Sequence, residues 1–88
     1  MNINKTIDKY LIEKQAPFPA GIKAKIEREA PIKIAKWMKA NPKKDAEEYA
    51  FSVVQDMAPY DILELQGGEE LVASCHNEAE AMVKNGEI

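Results

Sequence analysis

The chain has 88 residues, of which 45% are hydrophobic and 31% are charged, a composition typical of a folded domain and not of a disordered chain. A single cysteine, Cys75, excludes an intramolecular disulfide and favours a reducing, cytoplasmic location. No window has the apolar length of a signal peptide or of a membrane span, so we expect one soluble domain over residues 1–88 and no membrane contact.

The net charge of −3 conceals a division of charge between the two halves of the chain. Residues 1–44 contain eleven basic and four acidic side chains, net +7, whereas residues 45–88 contain one basic and eleven acidic side chains, net −10. Two interpretations stay open. Either the acidic elements pack beside the basic ones and neutralise them, or two faces of opposite sign attract a charged partner.

The first predicted helix covers residues 4–15, where apolar side chains recur at helical spacing. These side chains are Ile3, Ile7, Tyr10 and Leu11. Pro17, Pro19 and Gly21 then disfavour regular helix, so we expect a turn in which Phe18 serves as an apolar anchor.

The next apolar stripe continues in helical phase straight through Pro31. It consists of Ile22, Ile26, Ala30, Ile34, Trp37 and Met38. One kinked helix fits this pattern, and so do two helices with Pro31 in the first turn of the second. We expect a break or strong kink, because the ring of Pro31 clashes with the carbonyl of Glu27 in an unbroken helix, at a cost of about 3 kcal/mol.

The acidic half predicts two further helices. One starts at Asn41-Pro42 or at residues 45–48 and ends near Met57, with Phe51 off its apolar stripe. Residues 60–65 fit either a short helix or a short strand. The last helix covers residues 69–85, and Asn85-Gly86 supplies a left-handed cap. The fold class is therefore all-α, a small bundle of four to five short helices.

The only cysteine and the only histidine are neighbours, which raises the question of a catalytic pair. Adjacent helical residues point about 100° apart, so Cys75 and His76 cannot readily act as nucleophile and base. Cys75 lies on the apolar stripe of the last helix, and we expect it to be buried. His76 lies on the polar side, where we expect it to be solvated, and with Glu80 it offers only two metal ligands. We therefore predict no enzyme activity, no metal and no cofactor.

Two charged faces are the candidate binding sites. The basic face combines lysines that recur every three residues with the pair that follows them, namely Lys33, Lys36, Lys39, Lys43 and Lys44. The acidic face consists of carboxylates on the later helices, namely Glu47, Glu48, Glu69, Glu70, Glu78 and Glu80. The sequence does not indicate which face makes the contact.

These features favour a non-enzymatic protein-interaction domain, an adaptor or inhibitor that binds another protein or protein complex through one charged face. By analogy with a class of small proteins, we expect a phage or mobile-element inhibitor of a host nucleic-acid-handling complex. The alternative is a nucleic-acid-binding protein that uses the lysine-rich face of residues 33–44. The helix from Asp45 to Met57 carries no base, which weighs against a DNA-reading helix. A homo-oligomer is compatible with both hypotheses.

Overall fold

A computed structural model of the chain describes residues 16–88, and within this range the protein is mostly helical. Three α-helices follow one another, α1 (Ala20–Ala40), α2 (Glu47–Met57) and α3 (Gly68–Lys84), with a 3-10 turn at Ile62–Glu64 between α2 and α3. The all-α prediction is confirmed, although the described residues hold three α-helices and not four or five. The predicted helix over residues 4–15 lies outside the described residues.

The α1 helix runs unbroken through Pro31, so the predicted division into two helices is wrong and the single-helix alternative is the one observed. Pro31 cannot donate a hydrogen bond to the carbonyl of Glu27, but its ring is fully buried against the core. Burial of this apolar ring offsets part of the local backbone cost. The expectation that both halves of the stripe bury the same side is confirmed, because Ile26, Ala30 and Ile34 are all buried.

The segment between α1 and α2 shows which of the two predicted starts α2 uses: the helix starts at Glu47, within residues 45–48, and not at Asn41-Pro42. Asn41 ends α1, since its backbone N–H and its side-chain Nδ2 both donate to the Trp37 carbonyl, at 2.9 Å and 3.0 Å. The α2 helix begins later, where Asp45 Oδ1 accepts the Glu47 N–H at 2.9 Å. The first turn of α2 carries Glu47 and Glu48, near the positive end of the helix dipole.

The α2 helix ends at Met57, as predicted. The side chain of Gln55 forms hydrogen bonds with the turn that follows this helix. Its Nε2 donates to the Tyr60 carbonyl at 2.9 Å, and its Oε1 accepts the Ile62 N–H at 3.1 Å. The segment predicted as a short helix or a short strand forms a short 3-10 helix, and the described residues contain no strand. The 3-10 turn is followed by one isolated parallel bridge between Leu65 and Ala16.

Two glycines make the start of α3 possible. Gly67 has a φ of 75°, a left-handed conformation that L side chains rarely adopt. Gly68 packs so closely on the 3-10 turn that an added Cβ would overlap the carbonyl oxygen of Ile62. At the other end of α3, Gly86 has a φ of 71° and confirms the predicted left-handed cap.

The core lies where α1 packs against both α2 and α3. Its buried apolar side chains come from all three helices and from the 3-10 turn, and include Ile26, Ile34, Val54, Ile62, Leu65, Leu71 and Cys75. At its edge, the rings of Trp37 and Tyr49 stack with centroids 4.8 Å apart and planes 12° apart. Within residues 16–88, no helix combines the length and apolar character that crossing a bilayer requires.

Candidate functional site

A cleft of about 390 Å³ lies between α2 and α3. Its lining combines apolar side chains with two carboxylates, an imidazole and an amide, namely Glu47, Ala50, Phe51, Leu63, Glu69, Val72, Ala73, His76 and Asn77. We call this surface the α2–α3 cleft. It is open to solvent, and two of its large apolar side chains are well exposed, Phe51 at 38% and Leu63 at 49%.

The spacing along α3 explains why these side chains share one surface. Val72 and Ala73 lie three and four residues after Glu69, His76 lies four and three residues after them, and Glu80 lies four residues after His76, which places all five on one side of the helix. Leu71, Cys75 and Ala79 occupy the neighbouring, buried side. The α3 helix therefore packs its apolar stripe into the core and turns a mixed acidic and apolar side toward the cleft.

Phe51 contributes from α2 in the same way. It follows Ala50 in the sequence and lies outside the buried stripe that Ala50, Val53 and Val54 form. Its ring therefore lies on the flank of α2 that borders α3. The sequence signal for this position was the departure of Phe51 from the apolar stripe. Leu63 is harder to place from the sequence, because residues 60–65 fit either a short helix or a short strand.

An adjoining cleft shares Glu47 and His76 with the first one and extends to the end of α1. Its lining has mixed charge, with Lys39 and Lys44 opposite Asp45, Glu47 and Glu80. Lys39 Nζ donates to the main-chain oxygen of Ile88 at 2.6 Å. Some of the predicted basic residues thus meet the predicted acidic residues here.

The structure brings only part of the predicted acidic face together. Glu47 and Glu69 line the α2–α3 cleft, and Glu80 joins Glu47 at the adjoining one. Glu48, Glu70 and Glu78 are exposed but line neither cleft. On α3, helical spacing places Glu78 on the opposite side from Glu69 and Glu80, whereas Glu70 lies about 100° around the helix from Glu69.

The predicted basic face is exposed throughout, at Lys33, Lys36, Lys39, Lys43 and Lys44. Helical spacing places Lys36 in one row with Ile32, Arg28 and Lys25, because successive members of this row differ by three or four positions. Lys33, three positions before Lys36, lies beside this row. Ile32, 39% exposed, lies in the middle of this group. We call Lys25, Arg28, Ile32 and Lys36 the α1 stripe.

The ion pairs bear on how the opposite charges are arranged. Those between side chains of residues 16–88 lie within single helices, at Lys23–Glu27 (4.0 Å) and Arg28–Glu29 (3.7 Å) on α1 and His76–Glu80 (3.2 Å) on α3. None of them joins the basic α1 helix to α2 or α3. In this range the opposite charges are therefore not paired across the helix interfaces.

Cys75 and His76 are both largely covered, but by different surroundings. Cys75 is 1% exposed, and burial, together with the carboxylates of Glu78 and Glu27, raises the pKa of its thiol from 9.0 to about 11. The thiol is therefore protonated and unreactive at neutral pH. The His76 side chain is only 17% exposed, which corrects the expectation that it is solvated. In the part of the chain that the structure describes, no three metal-ligating side chains converge.

No protein-family model matches the chain, and comparisons with curated proteins and with solved structures also give no match.

Proposed function

We propose that this chain is a non-enzymatic protein-interaction domain, which uses the α2–α3 cleft to bind a basic, amphipathic segment of another protein. The observation that carries the proposal is the exposure of Phe51 and Leu63 in a cleft bordered by Glu47 and Glu69. A soluble domain gains stability by burying large apolar side chains, so a group of them left exposed between charged residues is typical of an interaction site.

The sign of the surrounding charge defines the partner. Residues 47–84 contain nine acidic and one basic side chain, net −8. A helix with apolar side chains on one face and lysine or arginine at its flanks would place apolar groups against Phe51 and Val72 and cations near Glu47 and Glu69. This is the helix-in-groove mode of recognition, in which apolar anchors give affinity and complementary charge favours the encounter.

The chemistry of Cys75 supports a role without catalysis. A buried thiol with a raised pKa is a poor nucleophile. The neighbouring imidazole lies 3.2 Å from Glu80, on the cleft side of α3. The narrower hypothesis of a phage-type inhibitor stays a prediction, since no contact of the described residues bears on it.

Nucleic-acid binding is the second candidate, favoured by the exposed cations of the α1 stripe. The exposed side chain of Ile32 at its centre gives a phosphate backbone nothing to bind, and the acidic α2 and α3 helices repel it. Retention on a heparin column at low salt, with a steep loss as salt rises, would support this candidate.

A titration with designed peptides tests the main proposal. The probe is an amphipathic helical peptide of leucine and lysine, and the control probe has glutamate at every lysine position. We expect the lysine peptide to bind and the glutamate peptide not to bind. Phe51→Ala should weaken binding at least tenfold, equivalent to about 1.4 kcal/mol.

The matched control is Tyr60→Ala, because Tyr60 is an aromatic residue that is 63% exposed and lies outside the cleft lining. This variant should bind the lysine peptide as the natural chain does. Absence of binding, or equal losses for Phe51→Ala and Tyr60→Ala, would contradict the proposal. Thermal unfolding of both variants shows whether either one has lost its fold.

A further inference from the structure

The α1 stripe and the α2–α3 cleft have the same layout with opposite charge. In the stripe, the exposed side chain of Ile32 lies between Arg28 and Lys36, one helical turn away on either side. In the cleft, the exposed ring of Phe51 lies near Glu47 and Glu69. Each surface therefore has an apolar centre and charged flanks, and the partner inferred for the cleft has the chemistry of the stripe.

The two surfaces cannot meet within one molecule. The opposite side of α1, with Ile26, Ala30 and Ile34, is buried against α2 and α3 of the same chain. The outer side of α1 consequently points away from the molecule's own cleft. A contact between stripe and cleft must join two copies.

We propose that the α1 stripe of one copy binds in the α2–α3 cleft of a second copy. This inference rests on the proposed function, because it uses the same cleft and names its occupant. Ile32 of one molecule packs against Phe51 and Val72 of the next. Arg28 and Lys36 lie beside the carboxylates at the border of the cleft. A helix seated between two helices is a common packing arrangement.

This contact is heterologous, since it joins two different surfaces. Each bound pair leaves one stripe and one cleft unoccupied, so association continues head to tail until a ring closes. The attraction depends on exposed charges of opposite sign, and salt therefore weakens it. Low salt and high protein concentration favour assembly.

Sedimentation velocity with two complementary variants tests this geometry. Ile32→Glu places a carboxylate in the stripe and leaves the cleft intact, whereas Phe51→Lys places a cation in the cleft and leaves the stripe intact. We expect the natural chain to sediment faster as its concentration rises at low salt, and to revert to monomer at high salt. Each variant alone should stay monomeric under the same conditions.

The mixture of the two variants gives the decisive result. The intact cleft of Ile32→Glu should accept the intact stripe of Phe51→Lys, so the mixture should associate into 1:1 pairs although neither variant associates alone. Tyr60→Lys is the matched control, because it introduces the same charge at an exposed aromatic position outside both surfaces, and it should assemble as the natural chain does.

The outcomes separate this inference from the proposed function. A natural chain that stays monomeric at low salt and high concentration overturns the self-assembly, and so does a mixture that forms no dimer. If the same monomeric protein binds the leucine–lysine peptide through Phe51, the cleft serves a different protein and only this inference fails. If neither self-association nor peptide binding occurs, the proposed function fails with it.

Discussion

The outer sides of α1 and of the α2–α3 pair carry opposite charges, but each has an exposed apolar side chain between charged residues. The α1 helix has six basic and two acidic residues, and its side-chain ion pairs are local to that helix. The α2 and α3 helices carry seven acidic residues and one lysine, and the ion pair of α3 is also local. In the described part of the chain, apolar packing holds these regions together, and their charges remain available to partners.

The two sides differ in how tightly the backbone is constrained. The α1 helix is a long, regular element that tolerates Pro31. The acidic side depends on a tight approach between the 3-10 turn and the start of α3. Substitutions on the acidic side should therefore have larger effects on folding than matched substitutions on the basic side.

The largest effect should come from Gly68→Ala. The added methyl group would overlap the carbonyl oxygen of Ile62, and the backbone must move to accommodate it. We expect a loss of about 3 kcal/mol in the free energy of unfolding, measured in urea. The matched substitution on the basic side is Gly21→Ala in α1, where no atom of residues 16–88 outside its own turn lies within 4 Å of the new Cβ.

Gly21→Ala should stabilise the protein by about 0.5 kcal/mol, because alanine favours helix and restricts the unfolded chain. If Gly68→Ala and Gly21→Ala lowered the free energy of unfolding equally, the proposed difference in backbone constraint between the acidic and basic sides would be contradicted.

The next effect concerns Cys75, which lies in the core between the two regions. Because folding raises the pKa of the thiol from 9.0 to about 11, the folded state holds this proton more tightly than the unfolded state. The resulting stabilisation is complete below about pH 9 and is lost as the pH rises through 11. We expect the stability advantage of the natural chain over Cys75→Ala to fall by about 2 kcal/mol between pH 8 and pH 11, as measured by urea unfolding.

The control variant for the pH effect is Glu27→Gln. The Glu27 carboxylate on α1 helps to raise the pKa of the thiol on α3, so its removal should make the total loss of stability smaller and end that loss at a lower pH. A pH dependence identical in the natural chain and in Cys75→Ala would contradict this account of the core.

A smaller effect is expected for the aromatic stack that joins the two regions. Tyr49→Leu keeps an apolar side chain on α2 but removes the ring that stacks on Trp37 of α1. We expect a loss of about 1 kcal/mol, and Trp37 fluorescence should report the change in its surroundings. Phe51→Leu is the control, because Phe51 lies on the same helix but in the cleft, and its effect on stability should be smaller.

Much of the fold was predictable because local periodicity decides which side of a helix is buried. The predicted stripes include Ile26 and Ile34 of α1, Val54 of α2 and Cys75 of α3, all of which are buried. The break at Pro31 was wrong for a physical reason. The missing hydrogen bond is visible in the sequence, whereas the burial of the proline ring that compensates for it depends on residues distant in the chain.

The site was less predictable than the fold. The residue types of the two charged faces could be recognised, but their grouping depends on how α2 and α3 pack. Phe51 was visible as an exception to its stripe, and Ile32 interrupts a basic pattern without any local reason. Glu70 and Glu78 looked equivalent to Glu69 and Glu80, although only the latter two lie beside a cleft.

The smallest effect should follow a reversal of charge on the α1 stripe. Lys36 is exposed, so Lys36→Glu should change the free energy of unfolding by less than about 0.5 kcal/mol. A loss well above this value would favour the alternative in which the acidic helices neutralise the basic one. Lys33→Glu, at the flank of the stripe, is a control of the same charge.

The location of peptide binding on the molecule tests the central claim most directly. We propose NMR titration of the labelled protein with the leucine–lysine peptide, following the backbone amide signals of every residue. We expect the largest shifts at Phe51, Val72, Ala73 and His76 of the α2–α3 cleft, and small shifts along the α1 stripe. Shifts spread evenly over all exposed carboxylates, with none concentrated at Phe51 and Val72, would contradict it.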